Sequence, residues 1–206
     1  IIGFSKLLLN TGVTNTQKQY LETVDQSAQS LLHVVNDILD ISKIEAGKLS
    51  LEIKKCNLID LINQSVDMVK FTAHQKGLEI IVNIQETVEN QIWIDEIRFK
   101  QIIQNLISNA IIHNNKEKGE VVIDFTEDEN CYTFSVQDNG PGIPKKFRNK
   151  IFQLFESYSS DNKSTGIGLS IVKKIVEKYN GKIWIESEKE IGTTFYIKMP
   201  KEHGTT

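Results

Sequence analysis

Asp138-Asn139-Gly140-Pro141-Gly142-Ile143 is followed by a second glycine cluster, Thr165-Gly166-Ile167-Gly168-Leu169, and preceded by an asparagine pair, Asn105 and Asn109. Alone, an acid followed by alternating glycines is what any surface turn shows. Three such elements in this order read instead as a nucleotide site. Asn105 and Asn109 lie four apart, so on a helix both amides share one face and can point into one pocket. Gly140 and Gly142 permit a tight backbone beside a base, while Gly166 and Gly168 let backbone N–H groups approach phosphates at the start of the following helix.

The framework around these motifs falls into two pieces. From Leu21 the apolar residues recur at Leu21, Val24, Ala28, Leu31, Val35 and Ile38, a three-four alternation that puts one seam on a helix; Leu32 and Leu39 widen it toward a four-helix bundle. Residues 1–10 form its natural antiparallel partner, with Thr11-Gly12-Val13-Thr14-Asn15 as the turn and Asn15 or Thr16 as the expected helix cap. Two helices cannot close a four-helix core, so a homodimer through residues 1–48 is expected to cover the seam. Gly47 marks the hinge to a second domain over 49–206. There the patterning predicts helices at about 57–76 and 96–113, the latter led by Asp95, and a strand over Leu78–Ile84. A hairpin follows with arms near 120–127 and 131–137. Beyond the glycines, Leu169 to Tyr179 is amphipathic, Asn180-Gly181 ends it, and strands follow at Lys182–Glu188 and Thr194–Met199. The predicted class is α+β: a helical hairpin, then an α/β sandwich whose mixed sheet is mostly antiparallel.

Composition narrows the function. With 39% hydrophobic and 25% charged residues in 206, this is ordinary globular material for one or two domains. A net charge of -3 argues against a nucleic-acid partner held by phosphate neutralisation, although lysines cluster between Lys145 and Lys150. Cys56 and Cys131 show no metal-type spacing and read as reduced thiols in a cytosolic setting. No apolar run is long enough to span a membrane and no signal peptide is apparent, so no membrane contact is expected of this stretch. The expected location is the cytoplasm, either free or as the intracellular part of a membrane-bound receptor.

Asn105-Leu106-Ile107-Ser108-Asn109-Ala110, Asp138-Asn139-Gly140-Pro141-Gly142, Phe152-Gln153-Leu154-Phe155 and Gly166-Ile167-Gly168-Leu169 resemble, in order and spacing, the asparagine, first glycine, phenylalanine and second glycine boxes of sensor histidine kinases. Ile38 to Leu49 looks like the end of that family's second dimerisation helix, especially in hybrid kinases, and Ile1-Ile2-Gly3-Phe4 like the first helix just past its phosphoacceptor motif. The resemblance implies an ATP domain of the superfamily shared with gyrase and the heat-shock chaperone ATPases. It implies Mg²⁺ and ATP as cofactors and a response-regulator receiver domain as partner.

By resemblance, Asn109 is the side-chain ligand of a Mg²⁺ bridging the ATP phosphates, a task suited to oxygen donors and a cation that keeps waters. Asp138 accepts from the adenine amino group, and Thr193 helps it through water. Gly140 and Gly142 flank the base; Gly166, Gly168 and Leu169 form the phosphate end. Asn105 stands where the superfamily's water-splitting ATPases carry a glutamate base. An amide cannot accept a proton at neutral pH, which favours phosphoryl transfer over hydrolysis. Between Ile143 and Thr165 the polar, lysine-bearing segment has the composition of a lid, in which Lys145, Lys146, Arg148, Lys150 and Lys163 could each neutralise phosphate.

The pattern also departs from the family. Its phosphoacceptor histidine is followed directly by an acid and, five residues on, by proline, whereas His33, His74, His113 and His203 precede Val34, Gln75, Asn114 and Gly204. The motif is expected a few residues before Ile1, and the chain as given is expected to bind nucleotide without phosphorylating itself. Ile112 replaces a basic residue, Ser164 a glycine, and the lid is short. These keep open a second reading, a pseudokinase scaffold or signalling interaction module with weak or no turnover.

Overall fold

The computed structural model describes residues 1–154, 156 and 166–201. Phe155, Lys163, Ser164, Thr165 and His203, with the side chain of His33, lie outside the described residues. The chain divides into two compact units, Ile1–Leu49 and Ser50–Thr206.

The first unit is a hairpin of α1 (Ile2–Leu9) and α2 (Asn15–Glu45). Thr14, rather than the expected Asn15 or Thr16, caps α2. Its hydroxyl accepts the Gln17 N–H (3.3 Å) and the Gln17 side chain accepts the Thr14 N–H (2.9 Å), the reciprocal pair of a capping box. Buried Ser5 ties the helices together by donating to Asp25 Oδ1 at 3.1 Å. Gly47, at φ +66°, ends the unit in a left-handed turn that leaves its N–H on the Ile44 carbonyl. Along α2 most of the apolar stripe stands exposed, Leu31 at 63% and Leu39 at 52%.

In the second unit, β1 (Lys54–Asn57) leads into α3 (Leu58–Gln75), β2 (Leu78–Ile84), β3 (Gln91–Ile94) and α4 (Glu96–His113). The hairpin β4 (Gly119–Glu127) and β5 (Cys131–Asp138) follows, then α5 (Gly168–Lys178), β6 (Lys182–Glu188) and β7 (Gly192–Pro200). The main sheet runs β2-β4-β5-β7-β6, parallel only between β2 and β4 and antiparallel elsewhere. This is the α+β class with a mixed, mostly antiparallel sheet that the patterning predicts. The β1–β3 pair was not expected; it is antiparallel and joins residues 34 to 40 positions apart, beyond the reach of local periodicity.

Alternation along the strands puts Val121, Ile123 and Phe125 of β4, Phe134 and Val136 of β5, and Phe195 and Ile197 of β7 on a buried face. Against it lie Phe99, Ile102, Ile103, Leu106 and Ile107 of α4 and Ile171, Val172, Ile175 and Val176 of α5, all buried. Phe99 meets Phe134 and Phe125 edge-on at 5.6 and 6.5 Å. Asp95 caps α4, its Oδ1 accepting the N–H groups of Ile97 (3.0 Å) and Arg98 (3.1 Å). Asn180, at φ +53°, takes the left-handed position after α5, ahead of Gly181.

Candidate nucleotide-binding site

Helix α4 buries its Ile102, Leu106 and Ile107 side on the sheet, which leaves Asn105 and Asn109 half-buried on the flank. Gly168 opens α5 directly against Asn105: a Cβ there would lie 2.6 Å from Asn105 Oδ1. The two motifs are thus neighbours, and a side chain at Gly168 would have to push the Asn105 amide aside. Gly166 sits at φ +67° two residues earlier, Leu169 is half-buried, and Ile167 at the head of α5 offers no side-chain cap. Among the described residues no side chain caps the first N–H groups of α5, an arrangement suited to phosphate.

At its other end α4 meets the Asp138 loop. Asn114, which follows the helix, donates from Nδ2 to Asn139 Oδ1 at 2.9 Å, and Asn139 returns a bond from Nδ2 to the Lys118 carbonyl at 3.0 Å. Lys76 holds the helix end by donating to the carbonyls of Ile111 (2.8 Å) and Ile112 (2.9 Å). Nine residues of helical rise separate Asn105 from Asn114, about 13 Å, with Asn109 between them. One helix thus lays out a line from the glycine end of α5 to the Asp138 loop.

Asp138 ends β5 and its Oδ1 accepts the Gly140 N–H at 2.8 Å. Burial pushes its carboxyl up to about 6, against the downward pull of the N–H groups of Gly140 and Thr193. Gly142, at φ +71°, could carry no side chain without striking the Glu188 carbonyl. Thr193 is 4% exposed and pairs in register with Asp138.

Several residues of this rim were not expected. Gly192, at φ +148°, lies so close to the Asp138 carbonyl that a Cβ would collide with it. Ser187 accepts the Ile143 N–H at 2.7 Å and touches Thr193 Oγ1 at 3.0 Å. Arg148, considered for phosphate neutralisation, instead spends its guanidinium on the carbonyls of Ile143 (3.1 Å) and Ser187. Phe152 packs edge-on against Phe195 at 6.3 Å, a core contact, while Leu154 is partly exposed. Among the described residues no cluster of three histidine, cysteine or acidic side chains could hold a metal, and no helix is long and apolar enough to cross a membrane.

Residues 94–203 match the family described as histidine kinase-, DNA gyrase B-, and HSP90-like ATPase, and residues 1–47 match the His Kinase A (phospho-acceptor) domain. The signal transduction histidine-protein kinase BarA of Escherichia coli (strain K12) is 36% identical over 206 residues, covering 97% of this chain and 22% of its own length. The chain therefore spans about a fifth of the length of this curated relative. Full-length ShkA, solved in complex with AMPPNP, superposes with a TM-score of 0.82 at 28% identity, over 100% of this chain and 43% of its own. Histidine kinase ThkA, solved in complex with the response regulator protein TrrA, gives 0.69 at 26% identity, over 98% and 57%.

Proposed function

Because the chain belongs to the histidine kinase-, DNA gyrase B- and HSP90-like ATPase family, we propose that it is the Mg²⁺-ATP-binding core of a two-component sensor histidine kinase, transferring the γ-phosphoryl group to a histidine for relay to a response-regulator aspartate. The observation that carries this reading is the line along α4, with a buried carboxylate loop at one end and a glycine cradle at the other. The residues fit the group. Gly142 and Gly168 let the backbone approach the Glu188 carbonyl and the Asn105 amide more closely than a side chain would allow, and the amide oxygen of Asn109 is a hard donor suited to Mg²⁺ that keeps waters and phosphate oxygens.

In this reading Asp138 accepts the adenine amino group, Thr193 assists it, and Gly140 and Gly142 hold the backbone beside the base. Gly166, Gly168 and Leu169 bring the first N–H groups of α5 to the phosphates. Asn109 holds the cation. Asn105, pressed against Gly168, positions the phosphoryl end and offers no base for splitting water. ATP supplies the phosphoryl group when bound; the chain's own contribution is positioning and charge neutralisation. None of the four histidines carries the acid-and-proline pattern, so the acceptor is a histidine outside these 206 residues. The exposed seam of α2 supports a homodimer through residues 1–48, and the ThkA–TrrA complex supports a receiver-domain partner. That the chain covers only 22% of BarA supports placement within a longer kinase.

Calorimetry with a non-hydrolysable ATP analogue tests the reading. Saturable binding is expected, strengthened by Mg²⁺, and Asn109→Ala should remove at least about tenfold of that gain. Absence of saturable binding at millimolar nucleotide would favour a scaffold instead.

A further inference from the structure

The inner face of the five-stranded sheet is apolar through the row Val136–Phe195–Ile185 and turns polar one step later, at Asp138–Thr193–Ser187. Ser187 belongs to β6, the edge strand, and the sequence pattern gives it no role. Its hydroxyl has three partners: the Ile143 N–H at 2.7 Å, the Gly192 carbonyl at 3.0 Å and Thr193 Oγ1 at 3.0 Å. A hydroxyl has one proton and two lone pairs. The Ile143 N–H can only donate and the Gly192 carbonyl can only accept, so the Ser187 proton goes to Gly192. Its remaining lone pair then takes the proton of Thr193. Any other assignment leaves two oxygens 3.0 Å apart with no hydrogen between them. With its proton committed to Ser187, Thr193 has only lone pairs to offer a base, or a water on the base, beside Asp138. The ionised carboxylate of Asp138 is likewise an acceptor alone.

We infer that Ser187 is a positioning residue for base recognition: it holds the Thr193 proton away from the nucleotide, so that Asp138 and Thr193 together select a purine with an amino group at position 6 and reject its 6-oxo counterpart. This rests on the reading that Asp138 and Thr193 meet the adenine. A 6-oxo purine would set an acceptor against two acceptors and leave buried groups unpaired, the arrangement by which polar sites discriminate most strongly. Without Ser187 the Thr193 hydroxyl is free to turn and donate, which would accommodate the oxo group.

The test is the ratio of dissociation constants for adenosine and inosine triphosphates with Mg²⁺, measured by calorimetry on the 206-residue chain. Ser187→Ala should lower the preference for the amino base by about fivefold or more, chiefly through tighter inosine binding, and Ser187→Thr should restore it. An unchanged ratio, even with both affinities reduced together, would overturn the inference and leave Ser187 a structural residue. Should Ser187→Ala fail to fold, Ser187→Cys carries the same test, because a thiol is a weaker partner to all three groups; an unchanged ratio there has the same force. Asp138→Asn separates the two levels. If it keeps the adenine preference, the underlying reading of Asp138 fails; if it loses the preference while Ser187→Ala does not, the Ser187 inference alone fails.

Discussion

In the proposed reading Asp138 carries a conflict between stability and recognition. Its carboxyl is raised from 3.8 to about 6 by burial, so folding favours the protonated form. The stability this group contributes is full below about pH 4 and is lost as pH rises through about 6. At neutral pH the protein therefore holds a charge in a place that penalises it. Asp138→Asn, neutral at every pH, should be more stable than the parent at pH 7.5 without nucleotide, by about 1–3 kcal/mol or several degrees. The gap should close near pH 4, and thermal melts at the two pH values check this; an equal difference at both would contradict it. Acidification below about 6 should also weaken adenine recognition, as the carboxylate gains a proton. Asp138, Asn105 and the glycines were legible because their types and spacing form a pattern. Ser187 and Arg148 were not, since a serine in a strand and an arginine in a basic loop acquire their roles only from backbone groups brought near by folding.

Helix α4 is the element on which the site depends, and its start is held from three directions. Asp95 caps the helix through Oδ1, accepts the Glu52 N–H through Oδ2 at 2.9 Å, and donates its own N–H to the Tyr179 hydroxyl at 2.9 Å. Asp95→Ala should cost about 2–4 kcal/mol, the loss of a cap plus an unmet N–H. A urea titration would show this as a lowered midpoint with unchanged slope; a shift within error would contradict the role. Asp95 was legible as a cap because an acid precedes a long helical period. The cap was expected one or two residues late since Asn15 and Thr16 are also good caps and Thr16 has Gln19 at the same spacing that Thr14 has to Gln17; the sequence offers both, and the structure forms the bond at Thr14. Strands β1 and β3 escaped notice for a different reason. Each has four residues, too few to display alternation, and each is a strand only through its partner.

At the scale of the whole molecule, the two units divide the work proposed for them. The first leaves Val24, Leu31, Leu32, Val35, Ile38 and Leu39 exposed on a single long helix, more apolar surface than a lone hairpin keeps in water without association. Leu31→Glu with Val35→Glu should convert a dimer to a monomer in sedimentation velocity while leaving helical circular dichroism nearly unchanged; a monomeric parent protein would contradict the dimer. The second unit supplies the nucleotide rim. In the proposed reading what joins them functionally is phosphoryl transfer, and it is measured directly by giving radiolabelled ATP to the chain together with a partner helix whose histidine is followed by an acid and, five residues on, by proline. The predicted result is acid-labile label on that partner, none on the 206-residue chain alone, and loss of the label with Asn109→Ala. Release of inorganic phosphate with no labelled partner, or acid-labile label on the chain by itself, would contradict it.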